Sequence, residues 1–384
     1  MHKSPVVLIR CESYELQAVS AAVERGLSLL GGIERYILPQ EKILLKPNVL
    51  AGDQPERCIS VHPSVFRAVA ASVQAVTPHV TFGDSPGFGR PATHLNRAGM
   101  TAVAGELGII QADFENGREV AAIGSQSTNK FVLANGVIES DGLISISKFK
   151  THQLTRLTGA VKNQFGCIPG LRKAEYHVIL PNAYEFANML IALNLLIKPR
   201  LYIMDGIWAM QGNGPRGGDK IPMNVLLFSP DPIALDAMAA RLIDLDPLIL
   251  PTTKPGANWG LGVYTDEEIE LLGDPPQQFY NKDFQVKRTP VEIVATLRGV
   301  STLKNLISPR PFIQSLKCVK CGICVSACPV VPKALSWMDE NKKMPPQYTY
   351  SRCIRCFCCQ EMCPEGAIEI ETPPLGRLFN RFCR

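Results

Sequence analysis

Two cysteine runs near one end of the chain limit what it can be more than any other feature. Cys318, Cys321, Cys324 and Cys328 stand in the spacing C-x2-C-x2-C-x3-C, with Pro329 directly after. Cys353, Cys356, Cys359 and Cys363 repeat the spacing, with Pro364 after. Three thiolates in one tight loop can reach three irons of a single cubane. The fourth lies beyond a turn, is fixed by the proline and points the other way, so that in a duplicated pair it reaches the neighbouring cluster. The spacing therefore predicts two 4Fe–4S clusters. One is held by Cys318, Cys321, Cys324 and Cys363, the other by Cys353, Cys356, Cys359 and Cys328. With every iron bound by a thiolate, no iron is open to a substrate, which suits one-electron relay rather than chemistry on the cluster.

Structural zinc is the alternative reading of clustered cysteines. Zinc favours separated C-x2-C knuckles, often with histidine. Here no histidine follows His177, and the third cysteine of each run would be superfluous. The chain has 13 cysteines, ten of them between Cys318 and Cys383. That leaves the long first part almost bare, which a disulfide scaffold would not do. Cys358 and Cys383 exceed the eight expected ligands and read as unligated thiols. The formal net charge of +5 counts every cysteine as neutral. Two clusters at roughly −2 each would bring it near roughly +1. No long basic run points to nucleic acid.

The remaining residues alternate between short apolar runs and helical patterns. Ile43–Leu45, Val80–Phe82, Leu143–Ile146, Leu201–Met204 and Val225–Phe228 read as strands. Leu16, Val19, Val23, Leu27 and Leu30 recur at helical spacing, Pro63 can open a second helix, and Asp231-Pro232 can start a third over Ile233–Ile243. Such alternation predicts an α/β fold with a mainly parallel sheet, followed by a ferredoxin-like α+β module. The expected boundaries are an α/β domain over 1–310, a cluster module over 311–372 and a short basic and aromatic tail over 373–384. Phe186–Ile197 is too short for a membrane span and contains Asn188 and Asn194, so it reads as a buried helix. The first ten residues lack the long apolar stretch of a signal peptide. The protein is expected in the cytoplasm.

Polar residues gather where the predicted strands end: Lys46 and Asn48, Asp84 and Ser85, Lys148, Lys150 and His152, and Asp205. In open α/β sheets ligands bind outside the carboxyl ends of the strands. The stretch Thr158–Gly166 adds Lys162 and Asn163 between two glycines. Lys46, Asn48, Ser85, Lys148, Lys150 and Asn163 are thus candidates to hold an anion. His152, Asp84 and Lys162 are candidates for catalysis, with His152 able to move a proton near neutral pH. Neither a phosphate loop nor a dinucleotide fingerprint is present.

Taken together, Lys46-Pro47-Asn48, Gly83–Gly87, Lys148–His152, Thr158–Gly166, Asp205-Gly206 with Gly212–Pro215, and Asp231–Asp236 resemble the family called domain of unknown function 362. The resemblance covers about residues 5–300. It implies the fold and, since members often carry a C-terminal ferredoxin module, the cofactor, but no substrate. In fold the family also resembles nickel-dependent lactate racemases. No matching histidine pair or cofactor lysine is found here, so nickel is not carried over.

The expected function is a ferredoxin-type oxidoreductase passing low-potential electrons, received from a protein such as ferredoxin, to a small anionic substrate in the α/β crevice. The alternative is an electron-carrier or assembly protein whose α/β domain docks a partner. A bound small molecule in the crevice favours the first, and an exposed apolar patch there with no pocket the second.

Overall fold

The computed structural model describes residues 3–122, 125–170, 172–180, 182–291, 305–339 and 341–377. Cys383, most of the basic and aromatic tail and part of the expected boundary around Thr296 lie outside them.

The first half of the large domain runs β1 (Ser4–Arg10), α1 (Leu16–Leu29), β2 (Ile43–Pro47), α2 (Pro63–Gln74), β3 (Val80–Phe82), α3 (Pro91–Arg97), α4 (Met100–Leu107) and β4 (Ile110–Gln111). A hairpin of β5 (Gly117–Ala121) and β6 (Lys130–Ala134) and the short α5 (Asn135–Ile138) lead into the long β7 (Gly142–His152). Then come β8 (Arg156–Leu157), α6 (Gly159–Asn163), α7 (Arg172–Ile179), α8 (Ala183–Ile197), β9 (Leu201–Gln211), β10 (Asp219–Ser229), α9 (Pro232–Leu242), α10 (Thr253–Asn258) and β11 (Ile269–Gly273).

The main sheet has the order β11-β1-β10-β9-β7-β2-β3-β4, with β8 attached to β7. Along this path β10 is antiparallel to both neighbours, and every other adjacent pair is parallel. The sheet is therefore mainly parallel, as the alternation predicts. Parallel strands are buried on both faces, and the side chains divide accordingly. Val7, Ile9, Leu45, Ile144 and Ile203 pack with α1 and α2 on one face. Val6, Leu8, Tyr202, Met204 and Leu227 pack with α9 on the other.

Two asparagines that interrupt or precede the apolar run of α8 have structural work. Asn182 caps the helix, accepting from the N–H groups of Tyr184 (2.8 Å) and Glu185 (3.1 Å). Asn194 is fully buried and fully engaged: its amide donates to the carbonyls of Val161 and Leu190, and its oxygen accepts from the Tyr202 hydroxyl. Among the described residues no helix is long and apolar enough to cross a membrane.

The C-terminal module consists of β12 (Arg310–Ile313), α11 (Ile323–Ser326), β13 (Leu335–Ser336), β14 (Gln347–Tyr348), α12 (Cys358–Met362) and β15 (Ile368–Glu371), with β12 paired to β15 and β13 to β14. Pairing within the module thus begins at Arg310, the last residue that the sequence reading gives to the large domain.

Asp231 caps α9, as the Asp-Pro signal predicts, and closes the sheet as well. One carboxylate oxygen accepts from Ile233 and Ala234 N–H at 2.9 Å, the other from Val263 N–H at 2.9 Å and the Ser4 hydroxyl at 2.8 Å. Asp231→Ala strands these donors and is expected to cost about 2–4 kcal/mol, a fall of roughly 4–8 °C in melting temperature by circular dichroism. Iron content should not change, because every partner of this carboxylate lies in the large domain. An unchanged melting temperature would contradict the assignment.

Candidate functional site

The strands β2, β3, β7 and β9 point their carboxyl ends to one edge of the sheet, and the module docks there. Lys46, at the end of β2, is buried and needs a countercharge. Its Nζ lies 2.8 Å from Asp84 Oδ1 and donates to Asn163 Oδ1 at 2.9 Å. Asp84, just beyond β3, accepts the Val49 N–H with its other oxygen at 2.9 Å. Asn163, at the end of α6, donates to the Ser145 hydroxyl on β7 at 2.9 Å. Gly166 lies against this group: a Cβ there would fall 1.9 Å from Asp84 Oδ1 and 2.7 Å from Lys46 Nζ. Glycine is the residue that lets the backbone pass so close to the ion pair.

These residues form the floor of a cavity of about 260 Å³ between the large domain and the module. Asn48, Asp84, Ser85, Lys162 and Asn163 line it together with Lys46, as the strand-end argument anticipates. Three lining groups went unrecognised in the sequence: Lys173 and His177, one turn apart on α7, and Glu361 on α12. Lys173 is buried and donates to the Pro86 carbonyl at 3.1 Å. Burial, chiefly, pushes its pKa down to about 7. His177 stacks on Phe186 at 4.7 Å, and burial pushes its pKa down to about 4.

The structure separates Lys148, Lys150 and His152 from this cavity. The strand β7 does not end at Ile146 but runs on to His152. Lys148 Nζ is therefore taken up inside the protein, 2.8 Å from Asp205 Oδ2 and 2.7 Å from the Tyr14 hydroxyl, which in turn donates to Asp205 Oδ1. Lys150 is fully buried and donates to the Ile59 carbonyl at 2.6 Å, and burial holds its pKa well below the usual lysine range. Neither is available to an anion in the cavity.

His152 differs from expectation in the same way. Its Nδ1 accepts the Leu154 N–H at 3.1 Å, which leaves the ring proton on Nε2. That nitrogen lies 2.8 Å from Glu361 Oε1, in close contact though off the ring N–H axis. Burial, and then the charge of Lys162, push its pKa down to about 4. A histidine so placed stays neutral near pH 7 and acts as a dock for the module rather than as a proton shuttle. Burial alone would raise the Glu361 carboxyl, but His152 and Lys162 hold it below the usual carboxylate range.

Docking continues on both sides of Glu361. The Gln360 amide donates to the carbonyls of Asn213 (2.9 Å) and Gly214 (3.1 Å). Arg216 donates to the Met362 carbonyl at 2.6 Å while its fork holds Asp53 at 2.9 and 3.0 Å. Gly217 and Gly366 meet backbone to backbone: a Cβ on either would fall 2.7–2.8 Å from the other's Cα.

Within the module, Cys318, Cys321, Cys324 and Cys363 ring one pocket, and Cys328, Cys353, Cys356 and Cys359 ring another. Each ring thus draws one cysteine from the other run. The backbone repeats too: the residues flanking the second cysteine, Lys320 and Gly322 in one run and Arg355 and Phe357 in the other, all have positive φ. The Tyr348 hydroxyl donates to Cys359 Sγ and the Ala367 N–H to Cys363 Sγ, both at 3.3 Å. Thiols disposed around a pocket and met by donors fit a 4Fe–4S cubane in each ring. Cys358 lies outside both rings and lines the interdomain cavity, as does Cys328 of the second ring.

Residues 317–367 match the 4Fe-4S dicluster domain, so this is a 4Fe–4S module. Over 93 residues the chain is 32% identical to NADH-quinone oxidoreductase subunit I of Pelobacter propionicus, covering 22% of this chain and half of that protein. A thylakoid-associated protein of Synechocystis sp. is 37% identical over 271 residues, 70% of this chain and 84% of the relative. The solved lactate racemase apoprotein from Thermoanaerobacterium thermosaccharolyticum aligns at a TM-score of 0.36 and 11% identity, over 60% of this chain and 55% of that one. Residues 43–241 match the domain of unknown function DUF362, and with the extent of the Synechocystis similarity this establishes that the chain belongs to the DUF362 family.

Proposed function

We propose that the protein is a two-cluster, ferredoxin-type oxidoreductase that delivers low-potential electrons to a small anionic molecule held between its two parts. One observation carries the reading: Cys328, a member of the second thiol ring, shares a wall of the interdomain cavity with Lys46, Lys162 and Lys173. When bound, the clusters supply electrons one at a time. The chain's own residues do the rest. Lys162 and Lys173 offer positive charge, Lys46 and Asp84 hold the floor in place, and the side chains of Leu50, Phe88 and Met362 give the cavity an apolar wall.

The ring of Cys318, Cys321 and Cys324 includes the exposed Cys321 and suits entry of electrons from a donor such as reduced ferredoxin. The similarity to NADH-quinone oxidoreductase subunit I supports electron transfer. A concave cavity with charged walls, rather than a flat apolar patch, supports catalysis over simple partner docking. So many thiols kept for iron suit a reducing compartment, and the reading places the protein in the cytoplasm.

Two measurements test this. Small molecules released from anaerobically purified protein, identified by mass spectrometry, supply the acceptor. Wild-type protein should then oxidise reduced methyl viologen in its presence. Cys328→Ala should drop from about eight to about four irons per chain and oxidise the dye at no more than background. Equal turnover by both proteins would mean that the chemistry needs no electrons from the module. Gly166→Ala should keep its iron, lose on the order of 1–3 kcal/mol of stability through overpacking and lose turnover as the Lys46–Asp84 floor shifts. Unchanged turnover would remove that floor from the site.

A further inference from the structure

We infer, resting on the reading that the acceptor occupies the interdomain cavity, that it is an amphipathic monoanion: a carboxylate held by Lys173 and Lys162 on a compact apolar body.

The charge balance of the walls points to a single negative charge. Lys46, Lys162 and Lys173 face the cavity against the carboxylates of Asp84 and Glu361. Lys46 is already matched by Asp84 at 2.8 Å. Among the described residues neither Lys162 nor Lys173 has a carboxylate within ion-pair distance. Lys162 lies over the Phe165 ring at 5.9 Å and acts on Glu361 at longer range, and Lys173 donates to a carbonyl with Asp84 acting on it at longer range. A buried ammonium without a countercharge is costly. Burial accordingly pushes Lys173 down to about 7, a shift that an anion beside it would reverse. Counted over side chains alone, three cations face two carboxylates, and the occupant or the neighbouring cluster must match the remaining positive charge.

The rest of the lining speaks to the body of the ligand. Leu50, Phe88, Phe165, Ala327, Pro329 and Met362 make most of the remaining wall. These surfaces favour apolar atoms. At about 260 Å³ the cavity is slightly below the usual range for drug-sized ligands, which suits a molecule of one ring or a short chain. Asn48 Oδ1, more than nine-tenths buried, lines the same cavity with no partner among the described residues. It leaves one place for a hydrogen-bond donor on the occupant or for a water.

The test is binding to the oxidised, cluster-loaded full-length protein by isothermal titration calorimetry, with four probes. Cinnamate carries both a carboxylate and an apolar body; cinnamyl alcohol keeps the body, acetate keeps the charge, and fumarate carries two charges on a small frame. Cinnamate should bind at least about tenfold more tightly than each of the others. Lys173→Met and Lys162→Met, each checked for unchanged iron content, should weaken cinnamate about tenfold and leave cinnamyl alcohol unaffected. Lys162 is partly exposed, so its variant stays informative if the buried position does not tolerate change. Equal binding of acid and alcohol, tighter binding of fumarate, or no saturable binding of cinnamate would overturn the inference. So would unchanged cinnamate affinity in both variants, which would assign the two lysines to balancing the charge of the neighbouring cluster. No reductant is present, so this result stands apart from dye oxidation: the ligand class can fail while electron delivery holds, and the reverse.

Discussion

A five-residue helix, Cys358–Met362, connects the two parts of the molecule, and much else follows from where it docks. Cys359 faces inward to a thiol ring, Gln360 donates to the Asn213–Gly214 backbone, and Glu361 meets His152 across the interface. A buried carboxylate is tolerated only where charge or donors meet it, so the docking geometry is constrained by chemistry on both sides. Because Glu361 and Met362 of this helix line the cavity together with Lys46, Asn48 and Asp84, the crevice that such sheets leave at that edge gains a wall from the module. The same placement brings Cys328 to its wall.

The lysines show how one residue type takes three roles by position. Lys46 and Lys148 are each neutralised by an aspartate at 2.8 Å and hold strands in register. Lys150 is desolvated and spends its hydrogen bond on the backbone. Lys162 and Lys173 reach the cavity without a carboxylate partner. Lys46 and Lys148 cannot turn to a ligand without leaving a buried carboxylate unpaired, whereas among the described residues the last pair has no carboxylate within ion-pair distance and can offer its charge.

Much of this was legible in the chain. Val80–Phe82 is β3 residue for residue, Leu16 opens α1, and Asp231 caps α9, because apolar periodicity and Asx-Pro caps are local signals. The strand-end rule pointed to Lys46, Asn48, Asp84 and Ser85, and the glycine-flanked Thr158–Gly166 stretch to Lys162 and Asn163, all of which line one cavity. It failed for Lys148, Lys150 and His152 because β7 continues past its apolar run. In a strand, alternate side chains take opposite faces: Ser145 meets Asn163 on one face, while Lys148 and Lys150 turn to Tyr14 and Ile59 on the other. Lys173 and His177 left a faint trace, two polar residues four apart on a helix, but their burial depends on packing. Glu361 left none, since it reads as an ordinary residue between two cysteines until the module docks.

The central claim is that the cavity and one particular cluster are electrostatically joined. An anaerobic potentiometric titration followed by EPR tests it most directly, on full-length wild-type, Lys162→Met and Cys328→Ala proteins. The account predicts two reduced-cluster signals in the wild type. The signal missing from Cys328→Ala should move to lower potential in Lys162→Met, because a positive charge that favours its reduced form is gone, while the other signal stays. If neither signal moves, or only the one that survives in Cys328→Ala, the cavity is not coupled to the nearby cluster and the account is wrong.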